Sequence, residues 1–298
     1  MVNSKHRNIF NEIHPKPLFG REKMVVIESA GITDVGRKRT NNEDTLFFDD
    51  TMKLYLVADG MGGHQAGEIA SNLVIETIID YMNNNCAEEN SFINYDKTLS
   101  IEANRLLAGV SLANRKVYEA SQSNDNYRGM GSTISALYFS NDTLITVNVG
   151  DSPIYLIRNG SINLLSVPHT MVAEQASLFP KGTAGLGNEF KHILTRAIGV
   201  EKNVNADICE MQYYQEDIIV IGSDGLSDKV TPDEIMEIVV NETPDKACTS
   251  LVNMANNRGG DDNITSIIVK IKKVLNKKRR IKNFFSKLTN AFIKTNPL

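Results

Sequence analysis

Short apolar runs separated by turn-forming residues are the feature of this sequence that most limits its fold. Four runs follow one another over residues 132–166, and the dipeptides Asn141-Asp142 and Asn159-Gly160 divide them into two pairs. Dipeptides of this kind join neighbouring strands into antiparallel hairpins. Further strands are predicted at 24–29, 54–58, 192–195, 206–213, 217–221 and 264–271. The chain is therefore expected to be built mainly from antiparallel strands.

Stretches with helical periodicity interrupt these strands. Apolar residues recur every three or four positions over residues 66–82 and 99–121, as they do on the buried face of a helix. Thr231-Pro232 is typical of a helix start, and a further helix is predicted at 244–256. Residues 169–188 predict a short helix followed by a flexible flap. Runs of strands with helices inserted in pairs predict an α+β fold, in which antiparallel sheets pack face to face with helices outside.

Composition excludes several classes of protein. The 298 residues are 41% hydrophobic and 23% charged, as in a soluble globular protein with one large domain or two small ones. The net charge of −4 argues against nucleic-acid binding. No apolar run is long enough to span a bilayer, and residues 1–22 lack the apolar core of a secretory signal. Cys86, Cys209 and Cys248 show neither zinc-ligand spacing nor a disulfide framework, so a cytoplasmic protein is predicted.

Carboxylates and glycines gather in five short segments at the ends of apolar runs. The segments are 39–44, 59–64, 150–152, 223–226 and 259–263. Taken singly, each can be an ordinary turn, and Arg39 can be a solvated surface charge. Taken together they predict a metal centre, because Mg²⁺ and Mn²⁺ prefer oxygen ligands and gathered carboxylates repel one another unless cations neutralise them. A glycine beside an aspartate also lets a backbone carbonyl approach the metal.

A metal centre of this kind also indicates which reaction the protein catalyses. Two cations about 3.5–4 Å apart can share a water, lower its pKa and clamp a phosphoryl oxygen. An arginine such as Arg39 offers phosphate a bidentate fork. No cluster of histidines in the sequence suggests zinc. The residues alone thus predict metal-assisted hydrolysis of a phosphoester.

Six motifs in a fixed order carry a resemblance to a known family. They are Arg39…Asn42-Glu43-Asp44, Asp59-Gly60-Met61-Gly62-Gly63-His64, Gly131-Ser132-Thr133, Gly150-Asp151-Ser152, Ser223-Asp224-Gly225-Leu226 and Asp262-Asn263. In this order they resemble the metal-dependent protein phosphatases of the type 2C (PPM) family, and the bacterial branch most. The resemblance covers residues 25–272 and implies a central antiparallel β-sandwich flanked by pairs of α-helices, a four-layer αββα fold. A leader at 1–22, a phosphatase domain at 23–273 and a tail at 274–298 are expected.

The resemblance implies a set of metal ligands. Asp59 would bridge two Mn²⁺ or Mg²⁺ ions, and the Gly60 carbonyl would bind one of them. Asp224 and Asp262 would complete the shell of the opposite ion. Asp151, together with Asp224, matches a third and weaker metal site. A hydroxide bridging the first two ions would then hydrolyse phosphoserine and phosphothreonine by direct attack.

The resemblance also implies roles for residues that do not bind metal directly. Glu43 and Asp44 would hold metal-bound waters and orient the site. Arg39 matches the arginine that grips the substrate phosphate. Asn263 is expected to fix its loop, because a neutral amide is a poorer ligand than a neighbouring carboxylate.

The sequence departs from the family pattern at several positions. Met61 stands where many eukaryotic members carry a histidine proposed as general acid, and His64 is either a substitute for it or a polar loop residue. Pro153 stands where arginine is frequent, and Pro168 where aspartate is usual. Since the flap shapes substrate choice in this family, these changes leave the substrate preference open.

The residues after Asp262 include no acidic residue and many lysines and arginines. At about 100° per residue, one face of the tail is apolar. This face contains Ile281, Phe284, Phe285, Leu288 and Phe292. A basic amphipathic helix predicts attachment to a membrane surface or docking to a partner protein, so that the protein would be peripheral at the membrane through residues 274–298. The alternative is that the apolar face packs back onto the domain.

Different classes of function therefore stay open. The first is an active phosphatase that acts on Ser/Thr-phosphorylated proteins and counters a Ser/Thr kinase. The alternatives are a non-catalytic binding or regulatory module on the same fold, or a metal phosphoesterase of small molecules. The complete set of metal ligands, with Arg39, favours an active enzyme.

Overall fold

Two antiparallel β-sheets form the centre of the fold. The computed structural model describes residues 23–62, 66–84, 95–141, 143–178 and 190–276. In spatial order, the first sheet consists of β1 (Lys23–Asp34), β11 (Ile264–Asn276), β10 (Ile218–Gly222), β7 (Ile154–Arg158) and β8 (Ser161–Leu164). The central strand β10 pairs antiparallel with both β11 and β7.

The second sheet contains the strands that carry most of the acidic segments. In spatial order it consists of β2 (Asp44–Asp49), β3 (Leu54–Met61), β5 (Ile134–Ser140), β6 (Thr143–Val149) and β9 (Asp207–Gln212). The short strand β4 (Gly131–Ser132) extends the pairing of β3. The pairings along this order are antiparallel.

Tight turns fix the register of the hairpins. Arg158 lies opposite Ser161 in the β7–β8 pair, which leaves two residues in the turn. Asn159 and Gly160 have φ of 52° and 73°, the left-handed conformation that both central residues of a type I′ turn require. Asparagine and glycine tolerate this conformation better than other residues. The β5–β6 pair closes over two residues in the same way, so both predicted hairpins are confirmed.

Two pairs of helices cover the outer faces of the sheets. The α-helices of the described residues are α1 (Ala66–Asn83), α2 (Ile101–Ser123), α3 (Met171–Leu178), α4 (Asp224–Ser227), α5 (Pro232–Asn241) and α6 (Pro244–Asn257). Helices α1 and α2 pack on the second sheet, whereas α5 and α6 pack on the first. The predicted start of α5 forms a capping box: the Thr231 hydroxyl accepts a hydrogen bond from the Glu234 N–H, and the Glu234 carboxylate accepts one from the Thr231 N–H.

Strand β3 shows how one strand contributes to two cores. Leu54, Leu56 and Ala58 face α1 and α2, whereas Tyr55 and Val57 face the first sheet. The alternation follows from the two-residue period of a strand. All five side chains are fully buried, which explains why residues 54–58 of β3 form an unbroken apolar run. The order helix, sheet, sheet, helix confirms the predicted four-layer α+β fold.

Two local expectations from the sequence need correction. Residues 192–195 do not form a strand, because Leu194 makes only an isolated bridge with Thr170. The sequence prediction also missed strand β2. Its pattern is weak because β2 is a half-buried edge strand with an acidic residue at each end. The helix expected at the start of 169–188 is α3, whereas the flap that should follow lies outside the described residues from position 179 to 189.

Val25–Val274 forms one compact unit. The predicted leader at 1–22 lies outside the described residues, as does the predicted tail beyond Asn276, so both stay predictions. Strand β11 extends three residues into the segment predicted as tail. Among the residues that the structure describes, no helix combines the length and apolar character needed to cross a membrane.

Candidate metal centre

One cavity, with a volume of ≈ 510 Å³, collects the acidic segments. Seven of the eight site residues predicted from the sequence line it. They are Arg39, Glu43, Asp59, Gly60, Asp151, Asp224 and Asp262. The eighth, Asp44, is buried beside Asp59. The fold therefore brings together side chains as far apart in sequence as Arg39 and Asp262, which form a hydrogen bond across 223 positions.

Asp44 and Asp59 lie directly opposite each other in the β2–β3 pair. Like charges at opposed positions destabilise a sheet. Asp44 is only 6% exposed. Its Oδ2 accepts a hydrogen bond of 2.6 Å from the Thr265 hydroxyl, whereas its Oδ1 is buried with no hydrogen-bond partner in the described part of the chain. A bound cation would remove the repulsion between these two residues, directly or through a bound water.

Burial and mutual repulsion change the protonation of these carboxyl groups. Burial, with repulsion from Asp224 and Asp262, raises the pKa of Asp44 to about 7. Burial also raises the pKa of Asp59 well above its ordinary value, and the charge on Asp44 adds to this effect. The pKa of Asp151 is raised to about 7 by burial and by the charge on Asp224. A cation would reverse these shifts, because it stabilises the ionised form of each ligand.

Two glycines allow close approach of the backbone at this centre. A Cβ atom at Gly60 would lie 2.1 Å from the carbonyl oxygen of Gly67, and one at Gly225 would lie 2.0 Å from that of Asn263. Contacts this short would displace the backbone, so only glycine fits at either position. The Gly60 N–H also donates to the Glu43 carbonyl at 3.1 Å, which ties the end of β3 to the preceding acidic segment.

Asn263 holds the loop that carries Arg39 and Glu43. Its Nδ2 donates to the carbonyl oxygens of Val35 and Asn41, both at 2.9 Å, and its Oδ1 accepts from the Glu43 N–H at 2.8 Å. The side chain is almost fully buried. Asn263 thus has the structural role expected from the sequence, and the loop that it fixes is the one at 35–43.

Arg39 reaches the carboxylates from the rim of the cavity. Its Nη2 donates to Asp262 Oδ2 at 2.8 Å, and its Nη1 lies 4.0 Å from Glu43 Oε2. The Arg39 side chain is 48% exposed, so the guanidinium can pair with an anion that enters from solvent. Arg196 is the other arginine that lines the described part of the cavity.

The turn that carries Asp151 is fixed by His169. The Gly150 N–H donates to His169 Nδ1 at 3.0 Å, and the Gly150 carbonyl accepts from the His169 N–H, also at 3.0 Å. Since Nδ1 is an acceptor, Nε2 carries the proton and donates to Asp207 Oδ2 at 2.6 Å. The imidazole is 1% exposed, so the position of Asp151 depends on a fully enclosed side chain. The sequence reading assigned His169 no part in the site.

His192 is a second residue that the sequence reading missed. Its Nδ1 lies 3.6 Å from Asp224 Oδ2, and its Nε2 lies 3.3 Å from Asp228 Oδ2. One ligand atom from each of Asp151, His192 and Asp224 lies within 4.8 Å of the other two. No spacing signal connects a histidine at 192 with these aspartates, and the pattern around it favoured a strand.

The residues of this centre fit divalent cations. Six carboxylates meet around one cavity, and they belong to Glu43, Asp44, Asp59, Asp151, Asp224 and Asp262. Asp44 and Asp224 each have a buried carboxylate oxygen without a hydrogen-bond partner in the residues described. Buried carboxylates in this number need cations, and hard divalent cations take oxygen ligands.

A four-layer sandwich with a carboxylate centre at the ends of its strands defines a metal-dependent hydrolase. The chain belongs to the protein phosphatase 2C family, since the family model described as Protein phosphatase 2C matches residues 35–265. This confirms the family resemblance found in the sequence motifs.

Curated relatives and solved structures agree with this membership. The chain is 34% identical over 259 residues to protein phosphatase PhpP of Streptococcus pneumoniae, which covers 82% of this chain and 97% of that protein. It is 32% identical over 243 residues to the serine/threonine phosphatase stp of Listeria monocytogenes, which covers 80% of this chain and 93% of that one. The structure resembles that of the catalytic domain of serine/threonine protein phosphatase PstP in complex with two manganese ions. The TM-score is 0.71 at 27% identity, and the match covers 84% of this chain and 100% of that one.

Proposed function

We propose that this chain is a protein serine/threonine phosphatase whose centre uses two divalent cations, Mn²⁺ or Mg²⁺. The observation that carries the proposal is the convergence of seven predicted site residues, from five separate segments, on one cavity in a member of the protein phosphatase 2C family. Relatives named as serine/threonine phosphatases support the substrate class.

Four residues would hold the two cations. By the family resemblance these would be the carboxylates of Asp59, Asp224 and Asp262 and the carbonyl of Gly60, all of which belong to residues that line the cavity. When bound, the cations supply Lewis acidity toward the phosphoryl group and a water of lowered pKa. Asp151, with Asp224, would hold a third and weaker cation.

Three further residues orient the reactants. Arg39 binds phosphate oxygens through its half-exposed guanidinium. The guanidinium then exchanges its hydrogen bond with Asp262 for hydrogen bonds with the phosphate. Glu43 and Asp44 would accept hydrogen bonds from water molecules of the centre. The Glu43 carboxylate lines the cavity, and Asp44 lies buried opposite Asp59. Met61 lines the cavity and carries no ionisable proton, so it cannot protonate the leaving group.

The substrate class follows from the family and from the site together. A protein that removes phosphate from serine and threonine counters the Ser/Thr kinases that install it. A non-catalytic module is disfavoured, because it would not need five carboxylates and Arg39 at one cavity, with a sixth carboxylate, Asp44, buried beside it. A phosphoesterase of small molecules would use the same centre. The two functions differ in substrate, so turnover of phosphopeptides and of small phosphate esters distinguishes them.

The test is Mn²⁺-dependent release of phosphate from a phosphothreonine peptide. Turnover that requires Mn²⁺ or Mg²⁺, stops with EDTA and exceeds turnover of a phosphotyrosine peptide and of sugar phosphates is the expected result. Faster turnover of a sugar phosphate would support the small-molecule alternative. No turnover with any divalent metal, in folded protein, would overturn the proposal.

We also propose that the protein is cytoplasmic and attaches peripherally to the membrane surface through its basic tail. The apolar residues Phe284, Phe285 and Leu288 recur at helical spacing among many lysines and arginines. Full-length protein should sediment with anionic vesicles more than with neutral ones, and Phe285→Ser should weaken this binding. Equal recovery with both vesicle types, or no effect of the substitution, would contradict membrane attachment.

A further inference from the structure

We propose that His192 is a ligand of the third cation site, and that with Asp151 and Asp224 it makes this site selective for Zn²⁺-like ions over Mg²⁺. Two carboxylates alone would not discriminate in this way. The inference extends the proposed metal centre to a ligand and a class of ion that neither the sequence motifs nor the family relationship assigns.

The distances between the three side chains fit a common ion. The 3.6 Å between His192 Nδ1 and Asp224 Oδ2 is longer than a good hydrogen bond. Two ligand atoms that each lie about 2.0–2.2 Å from one ion are separated from each other by roughly 3.0–3.5 Å. The observed distance is close to this separation. Asp151 contributes an oxygen to the same cluster, all within 4.8 Å. The three groups therefore need only small side-chain movements to bind one cation.

The surroundings of His192 direct one ring nitrogen toward the site. Its Nε2 lies 3.3 Å from Asp228 Oδ2, and the other carboxylate oxygen of Asp228 accepts from Lys191 Nζ at 2.6 Å. A carboxylate at Nε2 would keep the proton on that nitrogen when a cation takes the place of a proton at Nδ1. A histidine that donates to a carboxylate through one nitrogen and binds metal through the other is a recurrent arrangement in metalloproteins.

The two carboxylate oxygens of Asp224 have different surroundings. Its Oδ1 is buried without a hydrogen-bond partner among the described residues, whereas its Oδ2 is the oxygen nearest His192. One oxygen thus remains for the centre at Asp59, and the other faces the cluster with His192. A single carboxylate can then serve both sites.

The donor set indicates the class of ion. Oxygen-only sites suit Mg²⁺ and Mn²⁺, whereas imidazole raises the affinity for Zn²⁺ and Co²⁺. The main centre offers carboxylates and one carbonyl, but the third site offers an imidazole as well. The two sites in one cavity should therefore prefer different ions.

The experiment measures binding, so that its outcome is separate from that of the turnover assay. Full-length protein in excess Mg²⁺ is titrated with Co²⁺, and the visible absorption and the heat of binding are recorded. We expect one further equivalent to bind with the absorption of an imidazole-ligated ion, and His192→Gln to weaken it by at least about tenfold and to change the spectrum. Asp151→Asn should weaken it as well.

Glu174→Gln is the matched control, since Glu174 accepts from the Thr195 hydroxyl near the same segment but lies outside the cluster. This variant should bind Co²⁺ as the wild type does. An unchanged affinity and spectrum in His192→Gln, or no further equivalent in the wild type, would overturn the assignment. Because His192 is about half exposed, its substitution is not expected to unfold the protein, and thermal melting checks this.

Discussion

Asp59→Asn is expected to lower kcat/KM on a phosphothreonine peptide by at least about a thousandfold, on the order of 4 kcal/mol of transition-state stabilisation. Asp59 is the carboxylate directly opposite Asp44, and in the proposed centre it touches both cations. An amide has the same shape but no charge, so it binds hard cations far more weakly. The measurement is steady-state turnover at saturating Mn²⁺.

The same substitution should leave the fold intact, which distinguishes loss of catalysis from loss of structure. Removing one of the buried like charges relieves repulsion, so metal-free Asp59→Asn should be at least as stable as the metal-free wild type. Asp233→Asn, an exposed carboxylate in the first turn of α5, is the matched control and should keep turnover within about twofold. Turnover of Asp59→Asn within tenfold of the wild type would contradict the role of Asp59.

Carboxylates at strand ends were recognisable in the sequence because an acidic residue and a glycine after an apolar run are unusual together. Asp59 follows the fully buried run of β3, and Asp224 follows that of β10. The glycines beside them, Gly60 and Gly225, occupy places where a Cβ would overlap a carbonyl oxygen. A pattern with so direct a physical cause can be identified without coordinates.

Strand β2 was harder to recognise because its stabilisation comes from its neighbour. Its side chains are mostly half-buried, and aspartates occupy both of its ends. Pairing with β3 along six residues places it in the sheet and sets Asp44 against Asp59. Tertiary context of this kind overrides the local preference of a sequence for strand or turn.

The residues that position the third site could not be predicted, because their proximity depends on chain paths without sequence periodicity. His169 contacts Gly150, the residue before Asp151, because the segment after β8 returns to this turn. His192 meets Asp224 through the connection between α3 and β9. Neither histidine is at a spacing that relates it to a carboxylate in sequence.

Metal-free protein is expected to become less stable as the pH rises from about 5 to about 7.5. The pKa values of Asp44 and Asp151 are raised to about 7 in the folded state, whereas an unfolded aspartate titrates near 3.9. Between these values the folded state holds more protons than the unfolded state, so the free energy of unfolding falls as the pH rises and levels off above the folded pKa. For the two groups together the loss should be on the order of 5 kcal/mol, and urea unfolding in EDTA measures it.

Saturating Mn²⁺ should remove most of this pH dependence, because the cations displace the protons and stabilise the ionised carboxylates. The stabilisation by metal should therefore be larger at pH 7.5 than at pH 5. Asp151→Asn should make the metal-free profile less steep, since it removes one of the carboxyl groups with a raised pKa, and Asp233→Asn should not. Metal-free stability that rises over this pH range, or an Asp151→Asn profile with the slope of the wild type, would show that these carboxyls do not carry the raised pKa values.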